Sequence, residues 1–164
     1  MDRADREGLT LAGSRRDFAA NRLVLIVPAG APAISDLGAL ARLGRIAIGS
    51  PRTVPAGRYA RRALERAELW QKVEPRTVFA VNVRQVLDYV ARKEVDAGFV
   101  YATDAAMMSD KVKVALDVPA PKPVRYTVAV LRKSVHVDEA RAFVEALGAP
   151  AAQKILAQYG FASP

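Results

Sequence analysis

Short continuous apolar runs alternate along the chain with segments in which apolar residues recur every three or four positions. Continuous runs of this length are typical of strands buried on both faces, and the wider spacing is typical of amphipathic helices. The predicted strands are residues 22–27, 45–49, 97–101, 112–116 and 124–131. This alternation predicts an α/β fold with a mainly parallel sheet that helices cover on both faces.

Capping residues and prolines predict where the helices begin. A short helix is expected to be capped by Ser35, and a longer helix is expected to span about residues 55–69. Asn82 is expected to cap a third helix, because the apolar residues that follow it share one helical face. The last two helices are expected to be capped by Asp138 and opened by Pro150.

Two proline-rich breaks, Pro28–Pro32 and Pro119–Pro123, each lie beside a long apolar strand. Breaks of this kind are typical of the points at which a chain passes between two compact units. We therefore predict that one compact lobe, residues 28–123, is inserted between two passes of the chain through a hinge.

Composition limits the class of protein. The chain has 164 residues, 51% of them apolar and 26% charged, which fits one folded domain rather than a disordered chain. No apolar run is long enough to span a membrane, and the charged start Met1–Glu7 is not expected to act as a secretory signal peptide. The absence of cysteine excludes thiol catalysis, thiolate metal ligands and disulfides.

The net charge of +8, from 25 basic and 17 acidic residues, gives a general attraction for anions. A nucleic-acid surface would add a basic stripe interleaved with stacking aromatic residues. Only the pairs Arg15–Arg16 and Arg61–Arg62 come close to such a stripe, and no aromatic residue interleaves with them. Nucleic acid is therefore not a predicted partner.

Catalytic constellations are not evident in the sequence. His136 is the only histidine, and its neighbours do not bring a nucleophile, a base and an acid together. There is no metal-ligand spacing, no glycine-rich dinucleotide motif and no phosphate-binding loop. We predict that the chain is not an enzyme and holds no cofactor and no metal.

Two predicted helix starts and the end of one predicted strand are candidates for binding an anion. At the first, Pro55–Gly57, a proline opens a helix and small residues leave their N–H groups accessible. At the second, Asn82 caps a helix whose first free N–H groups belong to Val83 and its neighbours. N–H groups at a helix start attract anions. At the third, the hydroxyl of Tyr101 can donate one hydrogen bond at the end of its strand.

Each point also has a purely structural interpretation. A proline before a helix and an asparagine at its cap are common, and Tyr101 could equally be a core tyrosine bonded to the backbone. Arg58 is either a charge partner beside the first point or part of a solvated helix face with Arg61 and Arg62. The binding interpretation is favoured because the three points are expected to converge on one edge of one sheet, and open α/β sheets bind ligands at the carboxyl ends of their strands.

Three segments resemble, in order and spacing, the bacterial periplasmic molybdate-binding proteins of ABC importers. These segments are Val54–Ala60, Asn82–Leu87 and Gly98–Asp104, and the same family is matched by Asn21–Pro28, Tyr126–Val130 and Gln158–Phe161. The resemblance implies the two-lobed type II periplasmic-binding-protein fold, a periplasmic location and a membrane permease as partner. It also implies molybdate or tungstate as the ligand, held between the lobes by neutral donors.

By position, the resemblance implies that the oxyanion is bound by the N–H of Ala56, the N–H of Val83 and the hydroxyl of Tyr101. Supporting positions would be Pro55, Gly57, Asn82 and Arg58. The preference between molybdate and tungstate stays open, because both are tetrahedral dianions selected mainly by the size of the site.

One departure from the family is expected to matter. The family begins with a segment whose two serines complete the site, and neither Ser14 nor Ser50 replaces them. We therefore expect this chain to be the carboxyl-terminal part of such a protein, with lobe two (28–123) whole and lobe one truncated. Residues 1–27 would be the hinge strand and a remnant of lobe one, and residues 124–164 its return strand and last helices.

Two consequences follow from that expectation. Half of the site would bind the oxyanion weakly, so ligand binding by this chain stays open. Strands 22–27 and 124–131 would expose unpaired edges, which recruit other chains, so a homodimer that exchanges tail helices is predicted. The alternative function is a ligand-sensing domain of a transcription regulator with the same fold.

Overall fold

The structure, a computed structural model, describes residues 1–119 and 124–164. The second proline-rich break therefore lies outside the described residues except for Pro119. The strands are β1 (Arg16–Asn21), β2 (Leu23–Pro28), β3 (Ile46–Gly49), β4 (Thr77–Ala80), β5 (Ala97–Tyr101), β6 (Val112–Val118) and β7 (Val124–Val128). The helices are α1 (Asp2–Arg6), α2 (Pro55–Arg66), α3 (Trp70–Val73), α4 (Val83–Ala91), α5 (Ala102–Ala106), α6 (Val137–Gly148) and α7 (Pro150–Gln158).

The chain divides into two compact units. One unit joins the two ends of the chain, Met1–Asn21 and Pro123–Pro164, and the other is Arg22–Lys122. The second unit thus begins at Arg22 rather than at the predicted residue 28. The reason is that β2 is hydrogen-bonded into the sheet of this second unit.

The larger unit is built on a five-stranded sheet with the order β4-β3-β5-β2-β6. Strand β3 runs parallel to β4 and β5, but β2 runs antiparallel to both of its neighbours. The predicted mainly parallel sheet is therefore wrong for the β2 pairings. Apolar runs do not reveal strand direction, and the segment after β2, which contains a short 3-10 helix (Leu37–Arg42), leads to β3 rather than to either sheet neighbour of β2.

Two apolar clusters cover the two faces of this sheet, as predicted. Helix α2 packs on one face with Ile46 and Phe99, and α4 packs on the other with Val24 and Val100. Gly98 lets α4 approach closely, because a Cβ there would lie 2.7 Å from Val86 Cγ1. The close fit of both helices fixes the positions of their first turns relative to the ends of the strands.

The smaller unit is an antiparallel pair, β1 and β7, with α1, α6 and α7. Asp17 links the two strands by accepting a hydrogen bond from Thr127 Oγ1 (2.7 Å) and by pairing with Arg125. The ring of Tyr126 lies 5.3 Å from that of Phe161. Among the described residues of α6 and α7, only Val144 is buried, so these helices contribute little to the core.

Several helix boundaries differ from the predicted ones. Asp36, not Ser35, caps the 3-10 helix by accepting a hydrogen bond from the N–H of Ala39, because its carboxylate is the better acceptor. The long helix ends at Arg66 rather than near residue 69, since Glu68 has a positive φ of 57°. The last long helix starts after His136 rather than Asp138, and no side-chain cap stabilises its start.

The argument for unpaired strand edges is wrong for β2. This strand lies between β5 and β6, so its backbone groups are paired on both sides. Within the described residues β7 pairs with β1 alone. The homodimer therefore stays a prediction, and β2 gives it no support.

Candidate anion-binding site

Three neighbouring parallel strands of the larger unit end at one edge of the sheet, and a helix begins after each. Gly49 at the end of β3 lies beside Ala80 at the end of β4, and Ala47 is paired with Gly98 of β5. Helices α2, α4 and α5 follow these three strands respectively. The candidate residues therefore share one edge of one sheet.

The start of α2 is held tightly against the end of β3. The N–H of Ser50 donates to the carbonyl of Ala80 (2.8 Å), and the N–H of Val54 donates to the carbonyl of Ser50 (2.8 Å). Pro55 then occupies the first turn of α2, as predicted. Gly57 lies so near Gly49 that a Cβ on it would overlap the Gly49 carbonyl oxygen.

This packing buries two backbone donors. Ala56 is only 1% exposed and Gly57 is buried. Within the described residues neither N–H group donates a hydrogen bond. Buried N–H groups without an acceptor are rare in proteins, and each calls for an explanation such as a missing ligand or water.

The start of α4 has the predicted cap. Asn82 Oδ1 accepts a hydrogen bond from the N–H of Gln85 (2.9 Å), and Gln85 Oε1 accepts one from the N–H of Val81 (2.9 Å). Val83, the first residue of the helix, is half-buried. Its N–H donates no hydrogen bond within the described part of the chain, so it remains available to an acceptor.

Tyr101 is the last residue of β5, where it pairs with Leu23 of β2. It is half-buried, and its own N–H donates to Asp104 Oδ2 (3.3 Å). The side chains of Val83 and Tyr101 both pack against the apolar cluster that contains Ala56. The three predicted donors thus border one cluster.

The electrostatic potential at this edge of the sheet has contributions from two helix starts and from the carboxyl group of Asp104. The first turns of α2 and α4 carry no acidic residue, so their dipoles present positive potential. Burial raises the pKa of Asp104, opposed by the N–H of Tyr101 and by Arg84. Arg84 Nη2 lies 3.9 Å from Asp104 Oδ1. Backbone N–H groups and helix dipoles therefore supply positive potential at this edge.

The structure places the other predicted positions at the edges of this region. Pro55, Gly57 and Asn82 shape the two helix starts. Arg58 is exposed and forms no ion pair within the described residues, as in the solvated-face interpretation. His136 is also exposed, 3.8 Å from a Glu139 carboxylate oxygen.

The pairing of Arg84 with Asp104 was not predicted from the sequence. The available signal was an acidic residue three positions after Tyr101, the spacing at which a side chain accepts a hydrogen bond from a helix-capping N–H.

Among the described residues no group of three or more acidic or histidine side chains could hold a metal ion. No helix in the described ranges has the length and apolar character needed to cross a membrane.

The sequence family described as bacterial extracellular solute-binding protein matches residues 1–162. A putative ABC transporter substrate-binding lipoprotein, YvgL of Bacillus subtilis, is 38% identical over 88% of this chain and 56% of its own length. Molybdate-binding protein ModA of Haemophilus influenzae is 37% identical over 94% of this chain and 63% of its own length. ModA of Escherichia coli is 34% identical over 98% of this chain and 65% of its own length.

Solved structures give the same result for the fold. The substrate-binding domain of a putative molybdenum ABC transporter from Clostridium difficile superposes with a TM-score of 0.90 and 34% identity. The match covers all of this chain and 72% of that one. The periplasmic molybdate-binding protein of Azotobacter vinelandii superposes with a TM-score of 0.74 at 23% identity. That match covers 99% of this chain and 74% of the other. The predicted type II periplasmic-binding-protein fold is confirmed.

The Bacillus and Clostridium proteins are named as substrate-binding parts of ABC transporters and the two ModA relatives as molybdate-binding proteins, and none of these four is named as an enzyme. They do not favour the alternative of a transcription regulator. The chain spans between 56% and 65% of the length of the three curated relatives described above.

Proposed function

Because this chain belongs to the family of bacterial extracellular solute-binding proteins, we propose that it is a substrate-binding component of an ABC importer for molybdate or tungstate. The ligand is a tetrahedral oxyanion, and its oxygens accept hydrogen bonds from Ala56 N–H, Val83 N–H and the Tyr101 hydroxyl. Two relatives described above are named for binding molybdate, which supports this class of ligand.

The observation that carries the proposal is the pair of buried donors at the start of α2. Ala56 and Gly57 have no acceptor for their N–H groups within the described residues, although both are buried. An oxyanion at this point would accept a hydrogen bond from such a group. The Val83 N–H and the Tyr101 side chain border the same apolar cluster, which supports their acting on the same ligand.

Neutral N–H donors can bind a dianion here because they lie at helix starts, where the helix dipole supplies positive potential without a charged side chain. A bound oxyanion at the starts of α2 and α4 is stabilised by the dipoles of both helices. A set of donors fixed on rigid elements also selects by size, because a smaller anion cannot reach all of them at once. We therefore expect sulfate to bind less well than molybdate or tungstate.

The proposed role fixes the location and the partner of the protein. It would act in the periplasm, or outside the cell membrane, and deliver the oxyanion to the membrane permease of the importer. We assign Arg22–Lys122 to lobe two of the family fold, since all three proposed donors belong to this unit. The smaller unit would then belong to lobe one.

Calorimetric titration of the chain with molybdate, tungstate and sulfate, at constant ionic strength, tests this function. We expect weak but saturable binding of the first two anions, in line with the sequence analysis, and at least tenfold weaker binding of sulfate. Equal responses to the three anions would mean that the net charge of +8 attracts anions in general and that no specific site exists. No response to molybdate or tungstate would contradict the proposal.

A further inference from the structure

Asp104 has its two carboxylate oxygens turned toward two different elements. Oδ2 accepts the hydrogen bond from the N–H of Tyr101 (3.3 Å), at the end of β5. Oδ1 faces Arg84 Nη2 (3.9 Å), in the first turn of α4. The Asp104 side chain is only 13% exposed, so its position is well defined by its neighbours.

Arg84 is held from a second side as well. Its Nη2 lies 2.8 Å from Met107 Sδ, just beyond the end of α5. The guanidinium therefore contacts both Asp104 and Met107, and through them connects α4 with α5. Arg84 directly follows Val83, and Asp104 binds the backbone of Tyr101, so the Arg84–Asp104 pair connects the segments that carry two proposed anion donors.

We propose that Asp104 and Arg84 are positioning residues that couple the Val83 N–H to Tyr101, so that both donors are held in place for one anion. The ligand in this inference is that of the proposed function, on which it rests. Neither side chain touches the oxyanion; both act through the backbone segments that they connect.

Two physical arguments favour this role over a purely electrostatic one. A carboxylate close to an anion site repels the ligand, and burial of Asp104 already disfavours its charged form. Arg84 offsets that charge at close range, so the pair adds little net field at the site. The main effect of the pair is therefore on geometry. Side chains that position donors keep them within the narrow range of distances and angles that tight recognition requires.

A double-mutant cycle separates the positioning role from direct attraction by Arg84. The variants are Arg84→Met, Asp104→Asn and both together, and the amide oxygen that Asp104→Asn introduces can still accept from the N–H of Tyr101. If the pair acts as proposed, Arg84→Met weakens molybdate binding about threefold or more in the wild-type chain but has little effect beside Asp104→Asn. An equal loss in both backgrounds would overturn the proposal.

A second readout needs no ligand. In the free protein, Arg84→Met should shift the backbone amide resonance of Tyr101, and Asp104→Asn should shift that of Val83. Arg92→Met is the matched control, because Arg92 is an exposed arginine at the other end of α4, 4.0 Å from Glu94. It should leave the amide of Tyr101 unchanged.

These two readouts keep the proposals distinguishable. If wild-type protein shows no response to molybdate, the proposed function fails, and the amide shifts alone decide whether the two segments are coupled. If Arg84→Met shifts only resonances of α4, or Arg92→Met shifts Tyr101 equally, the coupling is overturned even where molybdate binds.

Discussion

Gly57 in the first turn of α2 lies directly against the carbonyl oxygen of Gly49 at the end of β3. This contact presses the start of the helix onto the sheet and buries the neighbouring N–H groups. Any side chain at position 57 meets backbone rather than a movable side chain. The geometry of the proposed site therefore depends on the absence of a Cβ at this residue.

We expect Gly57→Ala to destabilise the protein and to weaken anion binding together. Overpacking of a close contact costs about 1–3 kcal/mol, and a backbone carbonyl has little freedom to move away. Urea unfolding measures the stability, and a molybdate titration measures the binding. Gly148→Ala is the control, because nothing lies within 4 Å of a Cβ at that position. A neutral Gly57→Ala would contradict the close contact.

Val83→Pro removes one proposed donor while keeping the helix. Proline is favoured at the first position of a helix, and the preceding Asn82 has the extended backbone that proline requires (φ −160°, ψ 172°). The lost charge-assisted hydrogen bond is expected to weaken molybdate binding by about 10- to 150-fold. Val83→Ala keeps the N–H and should change binding far less. Equal losses in the two variants would assign the effect to packing.

Tyr101→Phe removes a hydroxyl and leaves the ring that packs against the cluster around Ala56. We expect molybdate affinity to fall by about 10-fold or more, with the folded state retained. Calorimetry and thermal unfolding measure the two effects on the same samples. A large loss of stability with unchanged affinity would instead support the interpretation of Tyr101 as a structural core tyrosine.

The raised pKa of Asp104 has a consequence for stability. The folded state holds the proton of this carboxyl more tightly than the unfolded state, whose pKa is near 3.8. Its contribution to stability is therefore full below that pH and is lost as the pH rises through the raised value. Urea unfolding from about pH 4 to pH 7 should show wild type losing stability relative to Asp104→Asn. The opposite trend would contradict the burial of the group.

The comparison with Asp104→Asn is needed because folding shifts the pKa of some other carboxyls in the opposite direction. Hydrogen bonds from Thr127 and Arg125 lower the pKa of Asp17, and those from Ser35 and two backbone N–H groups lower the pKa of Asp36. Such groups add stability as the pH rises. The difference between wild type and the variant removes their contribution.

The sequence predicted the elements whose signals are local. Strands β2, β3 and β5 are continuous apolar runs because both faces of their sheet are covered, and Asn82 identifies the start of α4 by itself. Strand β4 was missed because it is a short strand at the edge of the sheet, with Phe79 48% exposed. Strand β1 begins with Arg16 and Asp17, which break the apolar pattern.

Features that depend on contacts distant in sequence were not predictable in the same way. The direction of β2 is decided by its pairing with β5 and β6, which lie much later in the chain. The candidate donors were found because each has a local signal, a helix start or a strand end. The pairing of Arg84 with Asp104 joins two elements, so only the folded structure reveals it.

The most direct test follows the backbone amides of isotope-labelled protein while molybdate is added at constant ionic strength. We predict that the resonances of Ala56, Gly57 and Val83 shift together and saturate along one binding curve. We also predict that Val83→Pro weakens this curve, whereas Val83→Ala leaves it nearly unchanged. Shifts confined to exposed arginine-rich segments, or a response at only one helix start, would contradict a shared oxyanion site.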